Sequence, residues 1–341
     1  YFDESSNIDK EISTIFQSTY LDETYHMLPE EVMKEISLYE NCIKRAFSVI
    51  FTLDQNFIII DAKFIQTLIS CKNLTYDNAD KLKETNDDLL TLYDIGQKLY
   101  NNGFKNNNDT DSYNIHKMVE VYMLLANIYV AKFITKNNPI NVILRSQHIL
   151  GKAIYQKGSQ NSFHSSLNQE FYTHFTSPLR RYVDILVHRQ LYSILINKQS
   201  EINDVIIDNI NNDNIKRKCL YRYLSNIKFI ENIDDDLIED YGIILDIDET
   251  YVKIELSSKK IIETNIVSRH AIDLVNITAN SNSIIIKSIT NGKIIELFIN
   301  QKVKVKIAIT RNEPFNKIHL QIIEPDILEL FMDDKLNHNL E

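Results

Sequence analysis

The chain has 341 residues, 47 acidic and 37 basic, and its formal net charge of −10 argues against a protein that binds polyanions over its whole surface. At this length and with 44% hydrophobic residues it can bury a full core without disulfides or structural metals, as one large domain or a domain plus a small module. Cys42, Cys71 and Cys219 are too few and too scattered for a disulfide framework or a CxxC zinc site, no apolar run approaches a membrane span, and no signal peptide is visible, so an intracellular, cytoplasmic protein with no membrane partner is expected.

In chain order, residues 47–53 and 57–69 are rich in β-branched and aromatic side chains around Asp54, Gln55 and Asn56, which predicts a β-hairpin over 47–70. Over 77–102 the apolar residues Leu82, Leu89, Leu90, Leu92, Leu99 and Tyr100 recur at helix spacing, with Gly103 as the stop and a polar loop, FKNNNDTDS, beyond it. Residues 114–136 predict the clearest helix. Its apolar stripe of Ile115, Met118, Val119, Tyr122, Leu125, Ala126, Tyr129, Val130 and Phe133 reads as core packing, with Glu120 off its centre. Residues 137–171 read as irregular and polar, because Asn137, Asn138 and Pro139 break the helix. Ser177 as N-cap and Pro178 at the first helical position predict another helix, running to about Asn197. A further helix over 205–230 is basic near its middle, with Lys216, Arg217, Lys218 and Arg222.

Residues 231–249 hold nine acids and no base, which predicts a linker and module boundary. Beyond it the chain reads as all β, with short strands over 241–247, 251–256, 261–266, 284–295 around Asn291 and Gly292, 301–309 and 318–323. That pattern suggests a small antiparallel barrel, with an OB-fold as the leading candidate. Lys302, Lys304 and Lys306 share one strand face and Val303, Val305 and Ile307 the other; the lysine face is either a solvated surface or a nucleic-acid contact.

The most informative segment is YTHFTSPLRRYVDILVHRQL, residues 172–191. A Ser-Pro helix start points backbone N–H groups and the positive end of the helix dipole outward, a ready anion site. Arg180 and Arg181 in that first turn are unfavourable for the helix itself, so the pair suggests that an anion, most naturally a phosphate, occupies the site. Arg181, Asp184 and His188 follow at steps of three and four, and Arg180 to Asp184 is also a step of four. The carboxylate could therefore orient an arginine fork, or form an ordinary surface ion pair worth less than ~1 kcal/mol.

This segment closely resembles the signature of the RNB-domain exoribonucleases, the family of bacterial ribonucleases II and R and the eukaryotic exosome nuclease. The resemblance runs on in the same order through NIDKEI at 7–12, STYL at 18–21, MLPEE at 27–31, RAFSV at 45–49, LTYD at 74–77 and MVEVYMLLAN at 118–127. It covers nearly the whole chain, since these enzymes also end in an OB barrel. It implies an α+β fold: a mixed helical and β RNB catalytic-domain fragment over 1–230, an acidic linker over 231–240, an OB-fold RNA-binding barrel over 241–325, and an acidic tail over 326–341. It also implies 3′ to 5′ hydrolysis of single-stranded RNA to nucleoside 5′-monophosphates with Mg²⁺. By the same resemblance Arg180 is the catalytic arginine that grips the scissile phosphate, Tyr20 holds the 3′-terminal nucleotide, and Tyr76 and Glu120 contact the RNA near its 3′ end, where the 2′-hydroxyl separates RNA from DNA. Arg181 is expected to join this RNA-binding set.

The chain departs from the family in ways that bear on activity. The family's metal-binding aspartates, of the D-x-D-D kind, belong upstream of NIDKEI and have no equivalent here, so this chain alone is expected not to cleave RNA. The nearest lookalike, Ile233 to Asp236, lies in the acidic linker and reads as solvated charge. The family's aromatic clamp would fall in the segment shortened to the Asn-rich loop at 104–112. Lys216, Arg217 and Lys218 stand where the family carries a glutamate. The first residue is Tyr1 rather than Met, from which the C-terminal portion of a longer enzyme is expected. A non-catalytic RNA-binding relative is the rival expectation, and a partner-binding protein using the acidic linker a third. Charge is also unevenly placed. Residues 1–40 carry ten acids and two bases, and residues 324–341 six acids and one base, so with the acidic linker set aside the rest of the chain is net +12.

Overall fold

In a computed structural model of the chain, residues 6–105, 112–148, 151–233, 235, 237–248, 251–267, 271–280, 282–311 and 317–331 are described. They form two compact units that divide between Lys216 and Arg217.

The first unit opens with α1 (Asn7–Ile15), capped by Ser6, whose hydroxyl accepts the Asp9 N–H at 3.2 Å. A short ladder, β1 (Thr19–Tyr20) with β2 (Thr24–Tyr25), and α2 (Glu30–Ile36) follow. The predicted hairpin is present as β3 (Lys44–Leu53) paired antiparallel with β4 (Ile59–Ile69). Its turn is held by Asp54, whose Oδ1 accepts the N–H groups of Asn56 at 2.9 Å and Ile58 at 2.8 Å. The helix read over 77–102 is instead two, α3 (Tyr76–Leu82) and α4 (Asp87–Gly103). Asn86 separates them, because its Oδ1 accepts the Leu89 N–H at 2.9 Å and so starts a new helix.

α5 (Ile115–Asn137), capped by Asn114, is the central helix of this unit. Length and composition alone would let it cross a membrane, at mean hydropathy 1.4, but 56% of that window is buried in the protein. Val130, Ala131 and Ile134 pack against Ile12, Val142, Ile143, Leu144, Phe175, Val183 and Val187. The stretch after α5 is not irregular throughout. β5 (Ile143–Ser146) and β6 (Ile154–Lys157) form a second hairpin, and Val142, Ile143 and Leu144 are wholly buried. Two helices complete the order, α6 (Tyr182–Leu195) and α7 (Asp204–Glu231), the latter continuing into the second unit.

Beyond α7 the second unit is β apart from two 3-10 turns, Ile272–Leu274 and Ile327–Leu330, and the stretch expected to be an acidic linker over 231–240 holds the end of α7 and the start of the first strand. β7 (Leu237–Ile247), β8 (Tyr251–Leu256), β9 (Ile261–Asn265), β13 (Lys302–Thr310) and β14 (Lys317–Glu324) form one antiparallel sheet in the order β14-β13-β7-β8-β9. Its two edge strands meet where the Thr264 hydroxyl donates to the Leu320 carbonyl at 2.8 Å, so the sheet curls towards closure. β10 (Val275–Ala279), β11 (Ser283–Ser288) and β12 (Ile294–Phe298) make a separate three-stranded sheet, of which β10 was not anticipated from the sequence. Alternation sets the inward face: Val252, Ile254 and Leu256 of β8 and Val303, Val305 and Ile307 of β13 are buried. The lysine row opposite is drawn into the sheet's own surface. Lys304 Nζ lies 2.9 Å from Glu239 and 3.8 Å from Glu324, and Lys302 sits over the Tyr241 ring at 4.5 Å. These partners favour the solvated-surface reading.

Gly242 is required where β7 and β8 approach: a Cβ there would collide with Ile254 Cγ2 and lie 3.2 Å from the Glu255 carbonyl oxygen. Gly242→Ala is expected to destabilise this unit by about 1–3 kcal/mol, read as a lower urea midpoint. A midpoint unchanged from the parent would contradict that close approach.

Candidate functional site

The signature segment does not start a helix at Ser177 and Pro178. The Ser177 N–H donates to Asp184 Oδ1 at 2.7 Å, and its carbonyl accepts the N–H groups of Arg180 at 3.2 Å and Arg181 at 3.1 Å. Residues 178–180 are thereby closed into a turn, Arg181 stands extended at the N-cap, and α6 begins one residue later at Tyr182. The helix-dipole argument for both arginines therefore gives way to two different placements.

Arg181 turns inward. Its Nε and Nη2 donate to the two Asp184 oxygens at 2.7 and 2.8 Å, and Asp184 is wholly buried, so the pair is a bidentate internal fork and not a surface ion pair. Arg180 turns outward. Its side chain is exposed, and among the described residues its guanidinium makes no hydrogen bond or ion pair. It stands at the wall of a cleft of about 1610 Å³ whose lining also includes Tyr20, Arg45, Phe47, Tyr122 and His188.

Tyr20 enters the same cleft because the N-terminal segment is tied to the arginine turn. The Ser18 N–H donates to the Arg180 carbonyl at 3.0 Å, Gln17 bridges Arg181, and the Tyr182 N–H donates to the Phe16 carbonyl at 2.7 Å. Two turns further back in α1, buried Asp9 accepts from the Tyr182 hydroxyl at 2.9 Å and from Arg189 Nη2 at 2.6 Å. Sequence reading saw NIDKEI and HR as motifs without seeing that they meet. Neither spacing nor composition signals this pair, because 180 residues separate its members.

Tyr76 and Glu120 are brought together, away from the cleft lining. The Tyr76 ring stacks on His116 at 3.8 Å between centroids and 18° between planes, and Glu120 is one helical turn beyond His116 on α5, 3.3 Å from Lys117 Nζ. The five candidates thus fall into three sets: Arg180 with Tyr20, Tyr76 with Glu120, and Arg181 in the interior.

Next to the arginine turn lies a largely buried polar layer that sequence reading did not assign. Tyr155 Oη hydrogen-bonds His174 Nδ1, Arg145 sits over the Tyr155 ring at 5.0 Å, and Asn127 of α5 accepts the Phe175 N–H at 2.9 Å while donating to the Tyr172 hydroxyl at 3.2 Å. Burial, reinforced by the charges of Arg181, Arg145 and Arg180, holds the His174 imidazole well below its ordinary range, and burial pushes the Tyr155 phenol up to about 12. His174 is therefore neutral at pH 7 and Tyr155 is the proton donor between them. His188 stacks on Phe175 at 4.3 Å and donates from Nε2 to the Phe175 carbonyl at 2.8 Å; burial lowers it to about 4.

Both histidines are neutral in the fold and near 6.5 in the unfolded chain, so as pH falls below 6.5 the unfolded chain takes up protons that the fold refuses. Their contribution is complete above pH 6.5 and is lost down to about pH 4, where His188 titrates in the fold. His188 alone accounts for about 2 kcal/mol once its partial exposure is discounted. The thermal midpoint is expected to fall from pH 7 to pH 5, and to fall less in His188→Asn, which keeps an N–H donor. Equal falls in both proteins would contradict this assignment.

Among the described residues no group of three or more His, Cys, Asp or Glu is placed to hold a metal ion, so these residues do not fit a magnesium centre. Two members of the acidic lookalike, Asp234 and Asp236, and most of the Asn-rich loop lie outside the described residues.

An exposed arginine on a turn locked by a buried carboxylate thus faces a cleft that it shares with a tyrosine. Comparison with known proteins names its class. The RNB domain matches residues 1–149 and 146–197, more than half of the chain, and the chain belongs to the RNB domain family. Ribonuclease R of Chlamydia trachomatis is 35% identical over 78 residues, covering 23% of this chain and 11% of that protein. Mycoplasma genitalium RNase R in complex with ribose methylated single-stranded RNA superposes with a TM-score of 0.71 at 18% identity, over 95% of this chain and 65% of that one. Yeast Ssd1, a pseudonuclease, superposes with a TM-score of 0.67 at 13% identity, over 94% of this chain and 62% of that one. The chain therefore spans less than two thirds of the length of these relatives. Its mixed helical and β architecture is that of RNase R.

Proposed function

We propose that the protein is an RNB-type 3′ to 5′ exoribonuclease that hydrolyses single-stranded RNA to nucleoside 5′-monophosphates, with this chain supplying the phosphate grip and a barrel of OB type. The observation that carries the reading is Arg180: an exposed guanidinium without a partner among the described residues, fixed in a cleft with Tyr20 by the Ser18 to Arg180 backbone bond. A guanidinium so placed binds a phosphodiester in two-pronged fashion and stabilises the charge that builds on its oxygens during cleavage. Tyr20 offers a ring for the terminal nucleotide, and Tyr76 and Glu120 a ring and an acceptor for a ribose hydroxyl further along.

Arg181 takes a different part from the one its motif suggested. Its fork closes on Asp184, so it shapes the turn that presents Arg180 and leaves RNA contact to its neighbour. Mg²⁺, the metal of this chemistry, is assigned to carboxylates outside the described residues. The strand order β14-β13-β7-β8-β9, with β9 against β14, supports the OB-type barrel, and the free thiols Cys42, Cys71 and Cys219 fit a reducing, cytoplasmic location.

A second reading, a non-catalytic RNA-binding relative, is favoured by the lack of a metal-holding cluster among the described residues and by the likeness to a pseudonuclease fold. The two part on one assay: Mg²⁺-dependent release of mononucleotides from single-stranded RNA by the full-length gene product. Release supports the exonuclease. Salt-sensitive binding without release supports the second reading, and absence of both removes the two together.

A further inference from the structure

Nothing in the site as described uses His116. It is exposed near the start of α5, and its ring lies flat against Tyr76, itself 46% exposed, at 3.8 Å and 18°. Two rings stacked face to face and left in water are not needed by any core: Ile115 and Met118, their neighbours on α5, are buried against Ala79 without them. Glu120 follows one turn later on the exposed side of the helix, its charge met by Lys117 at 3.3 Å. Six residues after His116, about 9 Å along the helix axis, Tyr122 reaches the lining of the Arg180 cleft.

We infer that His116 and Tyr76 together form a base-stacking platform, on which a nucleobase of the single strand packs while Arg180 holds a phosphate of the same strand. This rests on the RNA-binding reading above and adds to it a specificity residue. An aromatic pair accepts any base by its ring face, and purines, with the larger surface, gain most. His116 acts here by ring area and by holding the Tyr76 ring flat, so another aromatic side chain can replace it. Glu120, on the same face, is left to accept from the ribose of the stacked nucleotide.

The test measures binding by fluorescence anisotropy of two labelled ribo-oligomers of equal length, an oligoadenylate and a strand lacking its bases over the 3′-terminal nucleotides. The proteins are the parent chain, His116→Ala, His116→Phe and Arg180→Ala. His116→Ala is expected to weaken oligoadenylate binding about tenfold and to leave the baseless strand unchanged, with His116→Phe restoring parent affinity. Thermal midpoints should be equal, since the ring is exposed. If His116→Ala binds oligoadenylate like the parent while Arg180→Ala loses affinity, the platform is wrong and the RNA-binding reading stands. If His116→Ala weakens both strands alike, the ring does not act on bases and the inference also falls. If the parent binds neither strand, the RNA-binding reading itself fails.

Discussion

Replacing Arg180 by alanine is expected to lower mononucleotide release by the full-length protein about 10²- to 10³-fold while leaving the fold intact. The magnitude is that of removing one preorganised donor from a developing anionic charge. The fold is spared because the guanidinium is exposed and makes no hydrogen bond or ion pair among the described residues; only the backbone of Arg180 is committed, to Ser177 and Ser18. Arg180→Lys should recover little, since a point charge cannot reproduce the planar fork. A variant that releases mononucleotides at the parent rate would show that the phosphate is gripped elsewhere.

Asp184→Ala is expected to have the largest effect on stability, about 3–5 kcal/mol, read from urea unfolding. The carboxylate is wholly buried and accepts three bonds, two from Arg181 and one from the Ser177 N–H, so its removal strands a guanidinium and a backbone donor together. Arg181→Ala alone strands the carboxylate. The double variant should be less destabilised than the sum of the two single changes, by about 0.5–3 kcal/mol, because neither charge is then left without its partner. Strict additivity would mean that the fork contributes nothing as a pair.

These two residues also mark where sequence reading worked and where it stopped. The motif in residues 172–191 identified the family and the basic pair, but its Ser-Pro pattern was read as a helix start. A buried acid seven residues on takes the Ser177 N–H and closes a turn, a tertiary effect that local capping rules cannot see. Elsewhere local chemistry was legible when it acted locally. The helix at α5 was read to within a residue or so at each end because Asn114 caps a strongly apolar stripe, and the β3–β4 hairpin because Asp54 makes its own turn.

The Asn86 cap was equally local, but the helix-spaced leucines ran across it. The β5–β6 hairpin had its own signal in the apolar run Val142, Ile143 and Leu144, but Asn137, Asn138 and Pro139 just before it led the whole stretch to be read as irregular. Its buried Ile143 is fixed from outside, by Gln190 of α6, which accepts the Ile143 N–H at 3.2 Å. Of the candidate residues, the resemblance named Tyr20, Tyr76, Glu120, Arg180 and Arg181, while their grouping, the inward fork of Arg181 on Asp184, and the Asp9 and Asn127 anchors are visible only in the structure.

The account rests on Arg180 holding an RNA phosphate, and the salt dependence of binding tests that contact most directly. For the parent chain and Arg180→Ala, dissociation constants for a single-stranded ribo-oligomer are measured across a salt series. The parent is expected to bind more tightly, and the slope of log affinity against log salt is expected to be shallower in the variant by about 0.7, the contribution of one phosphate contact on a single strand. Equal affinity and equal slope in the two proteins would contradict the account.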